Sequence, residues 1–169
     1  MKKIIRRTLI FLLGVLIIIQ FIRPKENISN GIGVNDITTK YNVPDDVQHM
    51  LQVACYDCHS NNTRYPWYWQ IQPVTWFMNG HIADAKRAVN FSNFAAYSIG
   101  KQYKSFDKIN KEVKSGDMPL TSYTLIHRDA IFNDAQKLAI ANWTAASRKE
   151  IEDHYPPDSL KTNKPARQE

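Results

Sequence analysis

Two cysteines three positions apart, Cys55 and Cys58, with His59 directly after the second, constrain this chain more than any other feature, because no other thiol exists in its 169 residues. The fold must present two sulfurs and an imidazole on one short turn. A disulfide across two intervening residues would close a very small loop, constrain the unfolded chain little and leave the histidine without a role. A structural zinc site needs four cysteine or histidine ligands, and the second half of such a set is missing. A thioredoxin-like pair expects a strand before the motif and a helix opening at its first cysteine. Covalent haem attachment uses all three residues: two thiols add to the porphyrin vinyl groups and the neighbouring imidazole sits beneath the iron. The spacing predicts one haem c, held through Cys55 and Cys58, with His59 as proximal ligand.

The flanking pattern is helical. In "PDDVQHMLQVAC" Val47, Met50, Leu51 and Ala54 recur at i, i+3, i+4 and i+7, with Asp45 and Asp46 in the first turn, so a helix runs straight into Cys55. Residues 74–89 fit a second helix despite Gly80, and the dense aromatics Trp67, Trp69, Trp76 and Phe77 suit either a core or the wall of a flat apolar cofactor. Residues 93–100 fit a short helix. Phe106, Ile109 and Val113 keep helical spacing up to Gly116, a C-cap residue. "DMPLTSYTLIHRDAIF" has no period and reads as a loop. Asn133 with Gln136 then opens a last helix whose stripe is Ala139, Trp143 and Ala146. No run alternates like a strand pair, so the expected class is all-α.

The net charge of +6 resides in the N-terminus. Lys2, Lys3, Arg6, Arg7, Arg23 and Lys25 are six of the 22 basic residues, and the remainder balances at 16 basic against 16 acidic. The body shows no footprint for nucleic acid. The basic start and the uncharged run Thr8 to Ile22 give residues 1–25 the look of a signal-anchor; with Ile4 and Ile5 included, residues 4–22 would reach across the inner membrane. The charge bias places the following chain in the periplasm. The alternative is a cleaved leader and a soluble periplasmic domain. Residues 26–43 then read as a flexible tether, 44–147 as the haem domain and 148–169 as a polar tail.

The other axial ligand decides what the iron can do. His49 and Met50 lie too close to Cys55 on its own helix to cross the ring, and His154 falls in the tail. Met78 on a helix is core by default. Met118, about sixty residues downstream in a Met-Pro loop, can present a thioether in a fixed pose, unless it merely fills the core. His81 and His127 are the bis-histidine alternatives, and an open site is a further one.

The stretch "CYDCHSNNTRYPWYWQIQPVTWFMNGHIADAKRAVNFS", followed by "SGDMPLTSYTLIHRDAIFNDAQKLAIANW", resembles the haem-binding domain proteins common in Bacteroidetes-type bacteria, relatives of cytochrome c. The likeness runs from about Pro44 to Trp143 and includes the Tyr65-Pro66-Trp67 and Asn90-Phe91-Ser92 steps. It implies a small cytochrome c-like helical domain around one covalently attached haem, with His59 proximal and Met118 distal; His81 departs from the usual pattern. The expected function is single-electron transfer between redox proteins without enzymatic activity. A haem-based sensor or gas-binding module, or a peroxidase-like enzyme using His81 or His127, is the alternative.

Overall fold

The computed structural model describes residues 1–29 and 31–161, and among these every regular element is helical. Helix α1, Lys2–Ile19, stands exposed along most of its length. It stops short of the apolar run's end because the chain there is bonded to the body: Gln72 Nε2 and Trp76 Nε1 donate to the Ile22 carbonyl, and Gln20 exchanges hydrogen bonds with the Gln72 backbone. Its first two turns hold Lys2, Lys3, Arg6 and Arg7, and the uncharged helical part from Thr8 to Ile19 rises only about 18 Å against a bilayer core of about 30 Å. Among the described residues no helix is long and apolar enough to cross a membrane. The inner-membrane anchor expected over residues 4–22 is therefore corrected.

Helix α2, Asp45–Ala54, follows Pro44 and buries Val47, Met50 and Leu51, the face its apolar spacing marks out. The chain turns at Cys55 and makes a single turn, α3, Tyr56–His59. A 3-10 turn at Trp67–Gln70 leads into α4, Val74–Ala88, and a second one at Phe91–Ala96 leads into α5, Ile99–Ser115. Gly116, at φ +85°, ends α5 in the left-handed conformation that glycine adopts without a Cβ clash. One turn, α6 (Thr121–Thr124), and a 3-10 turn at Arg128–Ala130 interrupt the expected loop. Helix α7, Asp134–His154, begins with both bonds of the capping box between Asn133 and Gln136 in place.

Helices α5 and α7 pack along each other, and α2 packs against α7. Phe106 on α5 is the hub, with rings of Tyr41, Phe94 and Trp143 at 4.9, 5.0 and 5.5 Å. The core reaches past both expected ends of the domain. Upstream, Ile37 and Tyr41 are fully or almost fully buried, and the Tyr41 hydroxyl donates to Gln102 Oε1 at 2.5 Å, so residues 26–43 contain part of the core rather than a plain tether. Downstream, Ile151 is buried and a 3-10 turn at Pro157–Leu160 rests on α5, where a Cβ on Gly100 would lie 3.0 Å from the Leu160 and Ser159 carbonyl oxygens. The expected polar tail thus starts too early at 148; its last part, 162–169, lies outside the described residues. The buried stripe of α7 is Ile140, Trp143, Thr144, Ser147 and Ile151, and Ala146 faces out.

Candidate functional site

The site grows from the break between α2 and α3. Cys55 closes α2, its N–H still donating to Leu51, and its carbonyl then accepts from the His59 N–H at 2.8 Å, which winds the motif into one turn. That turn directs both sulfurs and the imidazole to a cleft of about 340 Å³, whose wall also includes His81, Val89, Phe91, Ile109, Met118 and Tyr123. Cys55, Cys58, His59, Met118 and His81, singled out by sequence, are brought together there. His127 is not among them. It lines an adjoining cleft of about 380 Å³ that shares Cys58, His81, Leu120 and Tyr123 with the first and adds Phe77, Met78 and Ile126.

Both thiols are free and half-buried. Burial, reinforced by Cys58, pushes the Cys55 thiol up to about 12, and burial with the neighbouring Asp57 pushes Cys58 up to about 11. Redox dithiols and nucleophilic cysteines are tuned by the opposite shift, so the environment does not favour thiolates here.

His59 is oriented by the end of α4. Its Nδ1 lies 2.9 Å from the carbonyl of Val89, the C-cap residue, whose oxygen has no helical donor of its own. Burial lowers its pKa, favouring the neutral ring. A neutral imidazole that donates from Nδ1 keeps its Nε2 lone pair for a metal, the usual arrangement of a ligating histidine. The Phe91 ring stands edge-on to the imidazole at 6.1 Å. An apolar cleft, two protonated thiols and an imidazole with one nitrogen engaged fit a haem, with Cys55, Cys58 and His59 as the residues that would hold it.

The Asn90-Phe91-Ser92 step gains a role from this geometry. Asn90 caps its own turn through Ser92 N–H and donates to Asn61 Oδ1 at 2.9 Å, while Ser92 Oγ accepts from Asn61 N–H. The segment after the motif is thereby clamped to the segment that orients His59. The Tyr65-Pro66-Trp67 step does something else: Tyr65 receives the Asn27 N–H at 2.7 Å and packs on Trp69, whereas Trp67 is 78% exposed. Of the four aromatics offered as core, Trp69 is buried, and Trp76 and Phe77 are exposed, the latter edging the second cleft.

Sequence reasoning passed over Asp57, a spacer position inside the motif. Its carboxylate is buried beneath the turn and accepts from Arg64 Nε at 3.0 Å, Arg64 Nη2 at 3.1 Å, Arg64 N–H at 3.1 Å and the Tyr123 hydroxyl at 2.8 Å. The bonds to Asp57 raise the Arg64 pKa, and burial followed by the bond to Asp57 raises that of Tyr123. The acid at Asp57 and the arginine seven positions on were the available signal; Tyr123 had none.

Fold and site together define a small all-helical domain that offers Cys-x-x-Cys-His on an apolar cleft of cofactor size. The chain belongs to the haem-binding domain family, whose profile matches residues 14–146, and this membership supports haem as the cofactor. The match begins well upstream of Pro44, in keeping with the buried Ile37 and Tyr41. No curated protein and no solved structure matches the chain.

Proposed function

We propose that this protein is a monohaem c-type cytochrome that passes single electrons between redox proteins, with one haem attached through Cys55 and Cys58, His59 as proximal ligand and Met118 as distal ligand. The observation that carries the reading is the convergence of these four residues on one apolar cleft, with His59 Nδ1 already engaged by Val89. Bound haem supplies one-electron chemistry at its iron, and His/Met ligation favours a raised potential. The chain's own contribution is positional. The thiols fix the macrocycle, the Val89 carbonyl sets the imidazole, and Ala54, Val89, Ile109, Val113 and Leu120 keep water from the metal. Electron transfer asks for no substrate pocket and no acid–base pair, which makes the protein a carrier rather than an enzyme. The motif and the helical class also support kinship with cytochrome c-like domains. Its location is read as exported, the basic, apolar start of the chain serving as a cleaved leader.

A second reading has its own support: His81 lines both clefts, and its Nδ1 lies 2.9 Å from the Phe77 carbonyl, which leaves Nε2 available as distal ligand in place of Met118.

Visible spectroscopy of protein made with a c-type maturation system tests both. The expected result is haem that survives denaturation, is no longer retained in Cys55→Ser/Cys58→Ser, and gives a low-spin spectrum with the weak far-red methionine-sulfur band and only weak binding of carbon monoxide. Met118→Ala abolishes that band. An unchanged spectrum in Met118→Ala, with a loss of low-spin character in His81→Ala, assigns the sixth position to His81 instead.

A further inference from the structure

The segment that carries Met118 has little apolar anchorage. Val113 is the last buried residue of α5 and Ala130 the next one along the chain; residues 114–129 between them include none. Leu125 and Ile126 are each 61% exposed. Such a stretch is free to lift from the body unless polar contacts hold it.

Two contacts do so, five residues apart. At one end the Met118 N–H donates to the Glu112 carbonyl of α5 at 3.1 Å. At the other, the Tyr123 hydroxyl reaches the attachment turn, 2.8 Å from Asp57 Oδ2 and 3.0 Å from the Val53 carbonyl. A phenol has one proton, and the ionised carboxylate is the stronger acceptor. Asp57 is well prepared for it: the residue is 6% exposed, Arg64 holds both its oxygens, sharing Oδ2 with Tyr123, and its backbone carbonyl accepts from Thr63 Oγ1 at 2.6 Å. The neighbouring bonds of the segment, Ser115 to Asp117 and back to the Glu112 carbonyl within α5, and Thr124 to Thr121, do not reach the attachment turn.

We infer that Tyr123 is a positioning residue: its hydroxyl, bonded to Asp57 inside the Cys-x-x-Cys turn, latches the Met118 segment onto the cleft and sets how readily the sixth coordination position opens to an outside ligand. The inference rests on the haem reading with Met118 as distal ligand. Because the acceptor lies between the two cysteines, the latch ties the distal ligand to the residues that fix the macrocycle and bypasses the hydrophobic core.

Tyr123→Phe tests this directly. The variant keeps the ring, its stacking on His127 at 4.0 Å and its part of the cleft wall, and removes the hydroxyl alone. A hydrogen bond to a charged group contributes about 1.5–3 kcal/mol, so the open fraction, and with it the apparent affinity of the ferrous protein for carbon monoxide, rises roughly ten- to hundredfold. The far-red methionine-sulfur band fades at a lower temperature than in the parent. Asp57→Asn, which keeps an acceptor but loses the charge, falls between the two. A purely structural role would lower the denaturation midpoint while leaving carbon monoxide affinity and the far-red band at parental values, and that result overturns the latch. Met118→Ala in the same series separates the two readings. If it opens the site while Tyr123→Phe does not, the latch alone is wrong; if it too matches the parent, methionine ligation falls and the latch falls with it.

Discussion

The cleft has two very different walls. The one that carries the motif continues into the core: Leu51 lies one turn before Cys55, Asp57 and Ser60 are buried within and just after the motif, and Phe91 beneath His59 is 2% exposed. The other, residues 114–129, rests on the body through backbone and side-chain hydrogen bonds without a buried side chain. Local stability follows buried contacts, so the attachment side holds until the domain unfolds as a whole, while the Met118 side has its own, smaller opening free energy. On the ligation proposed above, this arrangement would make the Met118 side the adjustable part of the site.

Breaking the well-packed side has the largest consequence. Phe106→Ala removes the aromatic hub and leaves a cavity among Tyr41, Phe94 and Trp143, at an expected cost of about 3–5 kcal/mol. Urea denaturation followed by circular dichroism reads it. Because α5 also contributes Ile109 and Glu112 to the cleft, haem signal and helix signal should be lost together. Separate transitions would show that the cleft folds independently of this core and would undo the contrast between the walls. Gly100→Ala comes next. Its Cβ would meet backbone oxygens of Ser159 and Leu160 at 3.0 Å, and backbone cannot swing aside like the end of a side chain. The expected cost is about 1–3 kcal/mol, seen as a lowered thermal midpoint with an unaltered haem spectrum. A parental midpoint would mean that the 157–160 turn gives way freely and is not part of the stable half.

What the sequence disclosed follows from what is local. The face of α2, the C-cap at Gly116 and the capping box at Asn133 are set by residues within a few positions of one another, and each appears where the spacing puts it. The Cys-x-x-Cys-His turn is equally local. The segment before Pro44 was opaque because its two core residues, Ile37 and Tyr41, sit singly among polar neighbours and find partners far along the chain, Gln102 in the case of Tyr41. The stripe of α7 was misread for another reason. Thr144 turns its hydroxyl back to the Ile140 carbonyl at 2.9 Å, so a polar residue sits in the core and disguises the periodicity. At the site, the partner of His59 is a backbone oxygen, which no residue type announces. Asp57 looked like a spacer because only Arg64 lies near it in sequence, while its link to the other side of the cleft, Tyr123, is 66 positions away. The apolar run of α1 was read by composition alone, and the bonds from Gln72 and Trp76 that end its helical course are likewise long-range.

The smallest expected effect is also the sharpest check on the contrast. Leu125 is a large apolar residue six positions beyond Pro119, and by composition alone it would be counted as core. It is 61% exposed and lines neither cleft. Leu125→Ser therefore acts on a side chain whose surface is mostly in solvent, and a surface change of this kind shifts stability by about 0.5 kcal/mol. Equilibrium denaturation should give a midpoint within that range, and carbon monoxide affinity should stay at the parental value because neither end of the Met118 segment's attachment is touched. A loss comparable to that of Gly100→Ala would mean that residues 114–129 bury apolar surface after all, and the two walls would then differ in chemistry but not in strength. The comparison with Tyr123→Phe gives the result its force: two residues apart on the same segment, one substitution removes several carbon and hydrogen atoms, the other a single oxygen. If the segment is held by polar contacts, the smaller deletion has the larger effect on ligation.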